Sequence, residues 1–271
     1  MLIDLSGRTA LVTGSSLGIG FAIARGLHAA GATVILNGRD RQRVEAAVEK
    51  LGSDRARGVT CDVGTLAGCQ TMMAAETGVD ILVNNVGAFG PQSFLEVPDE
   101  KWFQLYEVNV MAGVRLSRYY IPGMIDRGWG RLLFISSVDA VQVPENMVDY
   151  AATKLAQVAV SRGIAQSLRG TRITSNALLV GPTHSAGFEG FVGASDYTGG
   201  AVLERVGVRT DDLDSVIADH LSSPTYQSTI IGRMASCDEV ANMAVYLASE
   251  QAAIMTGAAV RVDGGVLRGT L

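Results

Sequence analysis

Three side chains in the middle of the sequence could together move a proton. Tyr150 and Lys154 are four positions apart, so on a helix they share one face, and Ser137 precedes Tyr150 by thirteen positions. A phenol, with an ordinary pKa of about 10, exchanges protons poorly near neutrality, and a neighbouring ammonium lowers that pKa by favouring the phenolate. Only three of the 22 basic residues are lysines. We expect the other two, Lys50 and Lys101, to be surface cations.

A glycine-rich turn near the N-terminus could bind a phosphate group. It follows a predicted strand, opens a predicted helix and reads Thr13-Gly14-Ser15-Ser16-Leu17-Gly18-Ile19-Gly20. The backbone of such a turn can approach a pyrophosphate closely, and the positive end of the helix attracts its charge. The turn therefore favours a dinucleotide ligand, although a purely structural turn also fits the pattern.

The same turn fits a second class of enzyme, a serine hydrolase. Gly14, Ser16 and Gly18 match the GxSxG pattern around a nucleophilic serine. The base would have to come from one of the three histidines, which are His28, His184 and His220. Because the turn follows the first strand, there is no earlier strand whose loop could complete an oxyanion hole. The hydrolase is therefore the weaker alternative.

The end of the second predicted strand bears on the choice of dinucleotide. A carboxylate at this point binds the ribose 2′-hydroxyl of NAD and repels the 2′-phosphate of NADP. The strand ends Leu36-Asn37-Gly38-Arg39, without an acid, and Arg39 could donate paired hydrogen bonds to a phosphate. We therefore expect NADP(H), unless Arg39 only begins a solvated helix.

Alternating apolar runs and helical segments indicate an α/β fold. Strands are predicted near residues 9–13, 32–37, 57–61, 79–84, 131–136, 173–180 and 258–262. Helices are predicted near residues 18–30, 40–51, 66–76, 99–126, 149–169 and 237–249. Short right-handed crossovers between such units give a doubly wound, Rossmann-type parallel sheet of seven strands with helices on both faces. No linker or repeat divides the chain, so residues 1–271 are predicted to form one domain.

Residues 183–230 are too many for an ordinary loop and are predicted to form a substrate flap. The segment has seven acidic and two basic residues, so it accounts for the whole net charge of −5. A surface insertion unrelated to function is the alternative.

Composition excludes several classes of protein. The 22 basic residues are outnumbered by 27 acidic ones, which argues against nucleic-acid binding. The three cysteines are far apart in the sequence, so we predict neither a disulfide framework nor a metal site. Without a signal-like segment or an apolar run of about 20 residues, the protein is predicted to be cytoplasmic, with no membrane partner.

Four motifs in order resemble the short-chain dehydrogenase/reductase family, and the resemblance covers nearly the whole chain. They are the TGxxxGIG loop, Asn84-Asn85-Val86-Gly87, Ser137, and Tyr150 with Lys154. The resemblance implies catalysis by Ser137, Tyr150, Lys154 and Asn109, with Asn109 supporting a water that links the lysine to solvent. It also implies a set of residues that hold the cofactor: Gly14, Ser16, Gly18, Ile19, Gly20, Arg39, Asp62, Asn85, Gly87, Tyr150, Lys154, Gly181 and Thr183.

The implied activity is NADP(H)-dependent hydride transfer between the nicotinamide and a ketone or secondary alcohol, with Tyr150 as general acid and base. A 3-oxoacyl-thioester reductase is the alternative within the family. The sequence departs from the family at Val180, where a proline is usual, and at Leu17, where NADP enzymes often have a basic residue. The predicted substrate pocket consists of Phe89, Phe94, Val138, Met147, Phe188 and Phe191. The helices predicted at 99–126 and 149–169 resemble the pair that forms the interface in family dimers and tetramers, so the resemblance implies a homotetramer or homodimer.

Overall fold

The computed structural model describes residues 2–185 and 229–269. Seven parallel strands form the main sheet in the order β3-β2-β1-β4-β5-β6-β9. These strands are β1 (Thr9–Val12), β2 (Thr33–Gly38), β3 (Ala56–Thr60), β4 (Ile81–Asn84), β5 (Gly130–Ser137), β6 (Ile173–Val180) and β9 (Ala259–Val262). Each predicted strand is present, with its ends shifted by at most two residues. The order reverses between β1 and β4, as in a doubly wound fold, so the predicted Rossmann-type sheet is confirmed.

Helices cover both faces of this sheet, also as predicted. They are α1 (Gly18–Ala29), α2 (Arg41–Leu51), α3 (Leu66–Ala75), α4 (Asp99–Tyr106), α5 (Ala112–Asp126), α6 (Val148–Ser167) and α7 (Cys237–Leu247). The predicted helix 99–126 is divided, because a π-helical turn at Glu107–Met111 separates α4 from α5. Short 3-10 turns lie at Phe94–Glu96, Val138–Ala140 and Glu250–Ala252.

Local chemistry explains where several helices begin and end. Asp40 precedes α2 and its carboxylate accepts a hydrogen bond from the Arg43 backbone, which satisfies one free N–H group of the first turn. Gly52 ends the same helix with a φ of 56°, a conformation that glycine adopts at little cost. Ser236 and Glu239 form a reciprocal capping box at the start of α7.

Two apolar layers enclose the sheet. On one face, α1 and α7 pack against it through residues such as Ile23, Leu27 and Leu247. On the other face, α3 and α5 contribute Met72, Leu116 and other fully buried side chains. Strands β5 and β6 are buried along their whole length, as expected for central strands covered on both sides.

A small second sheet joins the start of the predicted flap to a segment shortly after its end. Strands β7 (Thr183–His184) and β8 (Ala235–Ser236) pair in parallel. Phe188, Phe191 and most of the flap lie outside the described residues, so the flap itself stays a prediction. Among the described helices, none has the length and apolar character needed to cross a membrane.

Candidate active site

The carboxyl ends of the central strands meet at one cleft of about 280 Å³. This position, beside the point where the strand order reverses, is where open α/β sheets bind their ligands. The cleft contains three of the four predicted catalytic residues, Ser137, Tyr150 and Lys154. Five predicted cofactor residues besides Tyr150 and Lys154 also line it: Ile19, Asn85, Gly87, Gly181 and Thr183.

The glycine turn between β1 and α1 has the conformation that its sequence requires. Gly14 and Gly18 both have a φ of 61°, where a side chain would be strained. A Cβ on Gly20 would press against the Gly14 carbonyl oxygen and the Asn85 side chain. Leu17 precedes α1 and supplies no side-chain cap, so the first N–H groups of the helix are left for a ligand. The turn fits a pyrophosphate.

Two asparagines brace the turn. The Asn85 side chain donates hydrogen bonds to the carbonyl oxygens of Thr13, at 2.9 Å, and Gly14, at 3.0 Å. Asn37, which sequence reasoning missed, accepts from the Gly14 backbone at 3.2 Å and donates to the Cys61 carbonyl at 3.1 Å. The sequence could have indicated this role, because Asn37 ends a predicted strand and a buried asparagine there must find partners in the adjacent loops.

The end of β2 leaves a guanidinium accessible. The Arg39 side chain is 80% exposed, and one of its Nη atoms lies 4.0 Å from a carboxylate oxygen of Asp62. The next acid along the chain, Asp40, is occupied as the cap of α2. The Arg39 guanidinium is therefore accessible to an incoming group at this point.

Ser137 and Asp139 form the turn that follows β5. Ser137, 8% exposed, is the last residue of the strand, and its Oγ accepts a hydrogen bond from the Asp139 backbone at 3.1 Å. Asp139 also lines the cleft, and sequence reasoning missed it. Burial raises the pKa of its carboxyl to about 6, although the Ser137 hydroxyl and the Lys154 charge act in the opposite direction.

Tyr150 and Lys154 lie in the first turns of α6, as their spacing predicts. The Lys154 Nζ is 5.5 Å from the centre of the Tyr150 ring, and the Phe89 ring lies 5.8 Å from the same ring. Lys154 donates to the Ile135 carbonyl at 2.9 Å. Its burial lowers the pKa of the ammonium to about 8, against the opposing influence of Asp139. The site thus holds a phenol beside a buried ammonium.

Asn109 lies in the π-helical turn and joins two parts of the site. Its Oδ1 accepts from the Ala88 backbone at 2.7 Å, and its Nδ2 donates to the Ala88 carbonyl and to the Thr153 Oγ1, both at 2.9 Å. Buried and surrounded by these partners, Asn109 positions the loop after β4 against α6. π-helical turns occur often at functional sites.

The structure brings together only part of the predicted substrate pocket. Phe89, Val138 and Met147 line the cleft, with Val180 beside them. Phe94 lies outside it, 57% exposed on a 3-10 turn. Gly181 fits between β6 and the segment after β9, where a Cβ would come within 2.6 Å of Asp263.

At Ser15 the geometry does not support the hydrolase alternative. Ser15 is fully buried, and its hydroxyl donates to the Val12 carbonyl at 2.6 Å. His28 lies in the last turn of α1, about 15 Å along the helix from its first residue, Gly18. His220 lies outside the described residues.

A doubly wound sheet with a glycine turn after β1 and a Ser-Tyr-Lys cleft beside it defines a class of dinucleotide-binding oxidoreductases. Residues 8–192 match the short chain dehydrogenase family, and residues 201–267 match a family described as enoyl-(acyl carrier protein) reductase. The chain belongs to the short-chain dehydrogenase/reductase family and is an oxidoreductase.

Similar proteins cover the full length of the chain. The uncharacterized oxidoreductase YvaG of Bacillus subtilis (strain 168) is 38% identical over 99% of both chains. The 3-oxoacyl-[acyl-carrier-protein] reductase FabG of Aquifex aeolicus (strain VF5) is 30% identical over 98% of this chain and 100% of that one. L-Sorbose reductase from Gluconobacter frateurii, solved with NADPH and L-sorbose, is 32% identical, with a TM-score of 0.87 over 99% of this chain and 100% of that one.

Proposed function

We propose that the protein interconverts a ketone and a secondary alcohol with NADP(H). The observation that carries this proposal is the common cleft of Ser137, Tyr150 and Lys154 beside the glycine turn. A bound nicotinamide would supply the hydride in reduction and accept it in oxidation. The residues that would hold the cofactor are those of the glycine turn, Arg39, Asp62, Asn85, Gly87, Tyr150, Lys154, Gly181 and Thr183.

The protein's own side chains provide the proton and bind the oxygen. In reduction, the Tyr150 hydroxyl gives its proton to the carbonyl oxygen, and in oxidation the phenolate takes a proton from the alcohol. Ser137 donates a hydrogen bond to the same oxygen and stabilises the charge that develops there. The Lys154 ammonium, 5.5 Å from the centre of the Tyr150 ring, favours the phenolate electrostatically.

Tyr150→Phe tests this assignment. The variant loses the transferable proton while keeping the ring, so we expect turnover to fall at least about 100-fold, with NADPH binding nearly intact. The measurements are NADPH oxidation with a panel of ketones and NADPH fluorescence titration. Tyr106→Phe, on α4 outside the cleft, is the matched control. Full activity in the Tyr150 variant would remove the mechanism.

The preference for NADP(H) over NAD(H) rests on the accessible Arg39. A guanidinium binds a 2′-phosphate well, and the nearby Asp40 is already bound to the backbone of α2. Arg39→Asp should reverse the ratio of kcat/KM for NADPH to that for NADH, since a carboxylate repels the phosphate. An unchanged ratio would exclude Arg39 as the determinant. Arg41→Asp is the control, because Arg41 is exposed at the start of α2 and pairs with Glu45.

Two substrate classes are proposed in order of preference. The similarity to L-sorbose reductase and the carboxyl of Asp139 in the cleft favour a hydroxylated ketone, because a carboxylate accepts hydrogen bonds from hydroxyl groups. The similarity to FabG supports a 3-oxoacyl thioester as the second class. Parallel assays with ketoses and with 3-oxoacyl thioesters distinguish them.

We also propose a homotetramer, or a homodimer, formed through α4, α5 and α6. Large apolar side chains are exposed on these helices, including Phe103, at 74%, and Leu155, at 53%. Such side chains usually lie against a partner when they form a patch. Light scattering at micromolar concentration tests the assembly, and a monomer would contradict it.

A further inference from the structure

Gln157 lies one turn beyond Lys154 on α6 and is 1% exposed. Its side-chain amide contacts two other residues of the site. The Nε2 atom donates to the backbone carbonyl of Asn109 at 2.5 Å, and the Oε1 atom accepts from the Lys154 Nζ at 3.3 Å. A single amide therefore connects the buried ammonium with the π-helical turn.

The chemistry of the two partners fixes the orientation of this amide. An ammonium can only donate hydrogen bonds and a carbonyl oxygen can only accept them. The amide oxygen must therefore face Lys154, and the amide nitrogen must face Asn109. The reverse orientation would place two donors against each other and two acceptors against each other.

The amide also limits where the ammonium can point. Lys154 has three N–H groups, of which one is directed to Ile135 and one to Gln157. The remaining group is available to the cleft, which Lys154 lines together with Tyr150. Without the Gln157 oxygen, a buried ammonium would lose one of its two protein acceptors and could turn away from the phenol.

We propose that Gln157 is a positioning residue, whose amide holds the Lys154 ammonium toward Tyr150 by linking it to the Asn109 carbonyl. The inference rests on the proposed roles of Tyr150 and Lys154. The backbone carbonyl of Asn109 accepts its hydrogen bond from this amide. An amide bound at both ends is held by the helix that carries it, whereas a water would have to be ordered separately.

Packing alone does not account for this residue. An apolar side chain of similar length would fill the same space without burying polar atoms, and buried polar atoms are costly unless each has a partner. Here both ends of the amide have partners in the site.

Three variants test the proposal. Gln157→Met keeps the length of the side chain but removes both hydrogen bonds, so kcat should fall about tenfold. The alkaline limb of the pH profile of kcat/KM should also move about one unit toward lower pH, because the ammonium has lost an acceptor. Gln157→Ala leaves space in which a water can link the same two atoms, so it should retain more activity than Gln157→Met. Gln166→Met, exposed on the same helix, is the control.

Gln157→Glu should shift the alkaline limb of the pH profile in the opposite direction. Its carboxylate lies against the ammonium and favours the charged form, so the alkaline limb should move toward higher pH. This shift is measurable even if Gln157→Met fails to fold. The proposal would be overturned if the alkaline limb of the kcat/KM profile were the same in every variant as in the unmodified protein. It would also be overturned if Gln157→Ala and Gln157→Met lost activity equally. Retained activity in Tyr150→Phe would instead remove the proposed function, so the two failures are distinguishable.

Discussion

The carboxyl of Asp139 is buried in the cleft beside Ser137 and within the field of Lys154. Burial raises its pKa from 3.8 to about 6, so the folded protein holds this proton more tightly than the unfolded chain does. The free energy of unfolding that this proton contributes is complete below about pH 4. It is lost as the pH rises through about 6.

Asp139→Asn should remove the fall in the free energy of unfolding that occurs as the pH rises through about 6. The amide carries no charge at any pH, so the variant should gain about 2–3 kcal/mol of stability relative to the unmodified protein between pH 4 and pH 8. Denaturant unfolding at pH 4 and at pH 8 measures the difference in free energy of unfolding between the variant and the unmodified protein. The same difference at both pH values would show that the folded state does not raise the pKa of this carboxyl.

Lys101 is not the surface cation that we expected from its helical position. Its side chain is 24% exposed, and its Nζ lies 3.2 Å from a carboxylate oxygen of Asp149, whose side chain is fully buried. The same Nζ donates to the Gly90 carbonyl at 2.8 Å and to the Gln92 side chain at 3.1 Å. Lys101 therefore ties the loop after β4 to the residue that precedes Tyr150.

Lys101→Met should lower the free energy of unfolding by about 3 kcal/mol, because it leaves the Asp149 carboxylate buried without its cation. The loop at residues 89–92 should also loosen, which should raise the KM for the carbonyl substrate. Lys50→Met is the matched control, since Lys50 is exposed in the last turn of α2, with its Nζ 5.8 Å from the centre of the Phe21 ring. Its effect should stay within about 1 kcal/mol.

At the scale of elements, the turn between β1 and α1 depends on how closely its backbone segments approach each other. Gly20→Ala would force a methyl group against the Gly14 carbonyl oxygen and the Asn85 amide, so the turn would have to open. We expect NADPH binding to weaken at least about tenfold and the protein to lose more than about 1 kcal/mol of stability. Fluorescence titration and denaturant unfolding measure the two effects.

Gly163→Ala is the control for this variant. Gly163 lies within α6 with no atom within 4 Å of the position of a Cβ. The substitution should stabilise the helix by about 0.5–1 kcal/mol and leave NADPH binding unchanged. A similar loss of binding in both variants would contradict the role given to the turn.

The elements with strong periodicity were predictable from the sequence, and the site was predictable where it coincides with their ends. The strands from β1 to β6 alternate with helices, so the positions of Gly14, Ser137 and Gly181 at strand ends follow from the pattern. The π-helical turn has no such signal, because its extra residue changes the hydrogen bonding without changing the apolar pattern. The pairing of β7 with β8 joins segments about 50 residues apart, which local patterns do not encode.

The missed site residues share a physical reason. Asn37, Asp139 and Gln157 are polar side chains that face inward only because distant carbonyl and charged groups meet them there. The misplaced Lys101 shows the same limitation, because its partner Asp149 lies 48 positions away. The contact between Lys101 and Asp149 is set by the packing of α4 against α6 rather than by any local run of residues.

At the scale of the whole molecule, a buried cation lies at the end of the sheet opposite the cleft. Arg131 is 1% exposed and donates to the carbonyl oxygens of Gly130, Arg172 and Ser249 at 2.9–3.2 Å. Its guanidinium lies 4.3 Å from the centre of the Trp129 ring. Arg131 thus joins β5 to the segments before β6 and after α7.

Arg131→Met should lower the free energy of unfolding by about 3 kcal/mol or more, because carbonyl groups are left buried without donors. The cleft lies at the other end of β5, so kcat and KM well below the melting temperature should remain close to those of the unmodified protein. Differential scanning calorimetry and steady-state kinetics measure the two outcomes. A large change in KM with little change in melting temperature would contradict the assignment of Arg131 to stability rather than to catalysis.

The parallel arrangement of the strands has a consequence for how such a protein can change over generations. The strands of the main sheet are parallel, so their carboxyl ends lie on one side, where the ends of β4, β5 and β6 meet the cleft. Arg131 lies on the opposite side, at the amino end of β5. Mutations around Arg131 can therefore change the stability of the fold without altering the residues that line the cleft. A natural lineage or a laboratory library can first accumulate stabilising substitutions at the amino ends of the strands. The more stable protein then tolerates destabilising substitutions that adapt the cleft to a new substrate.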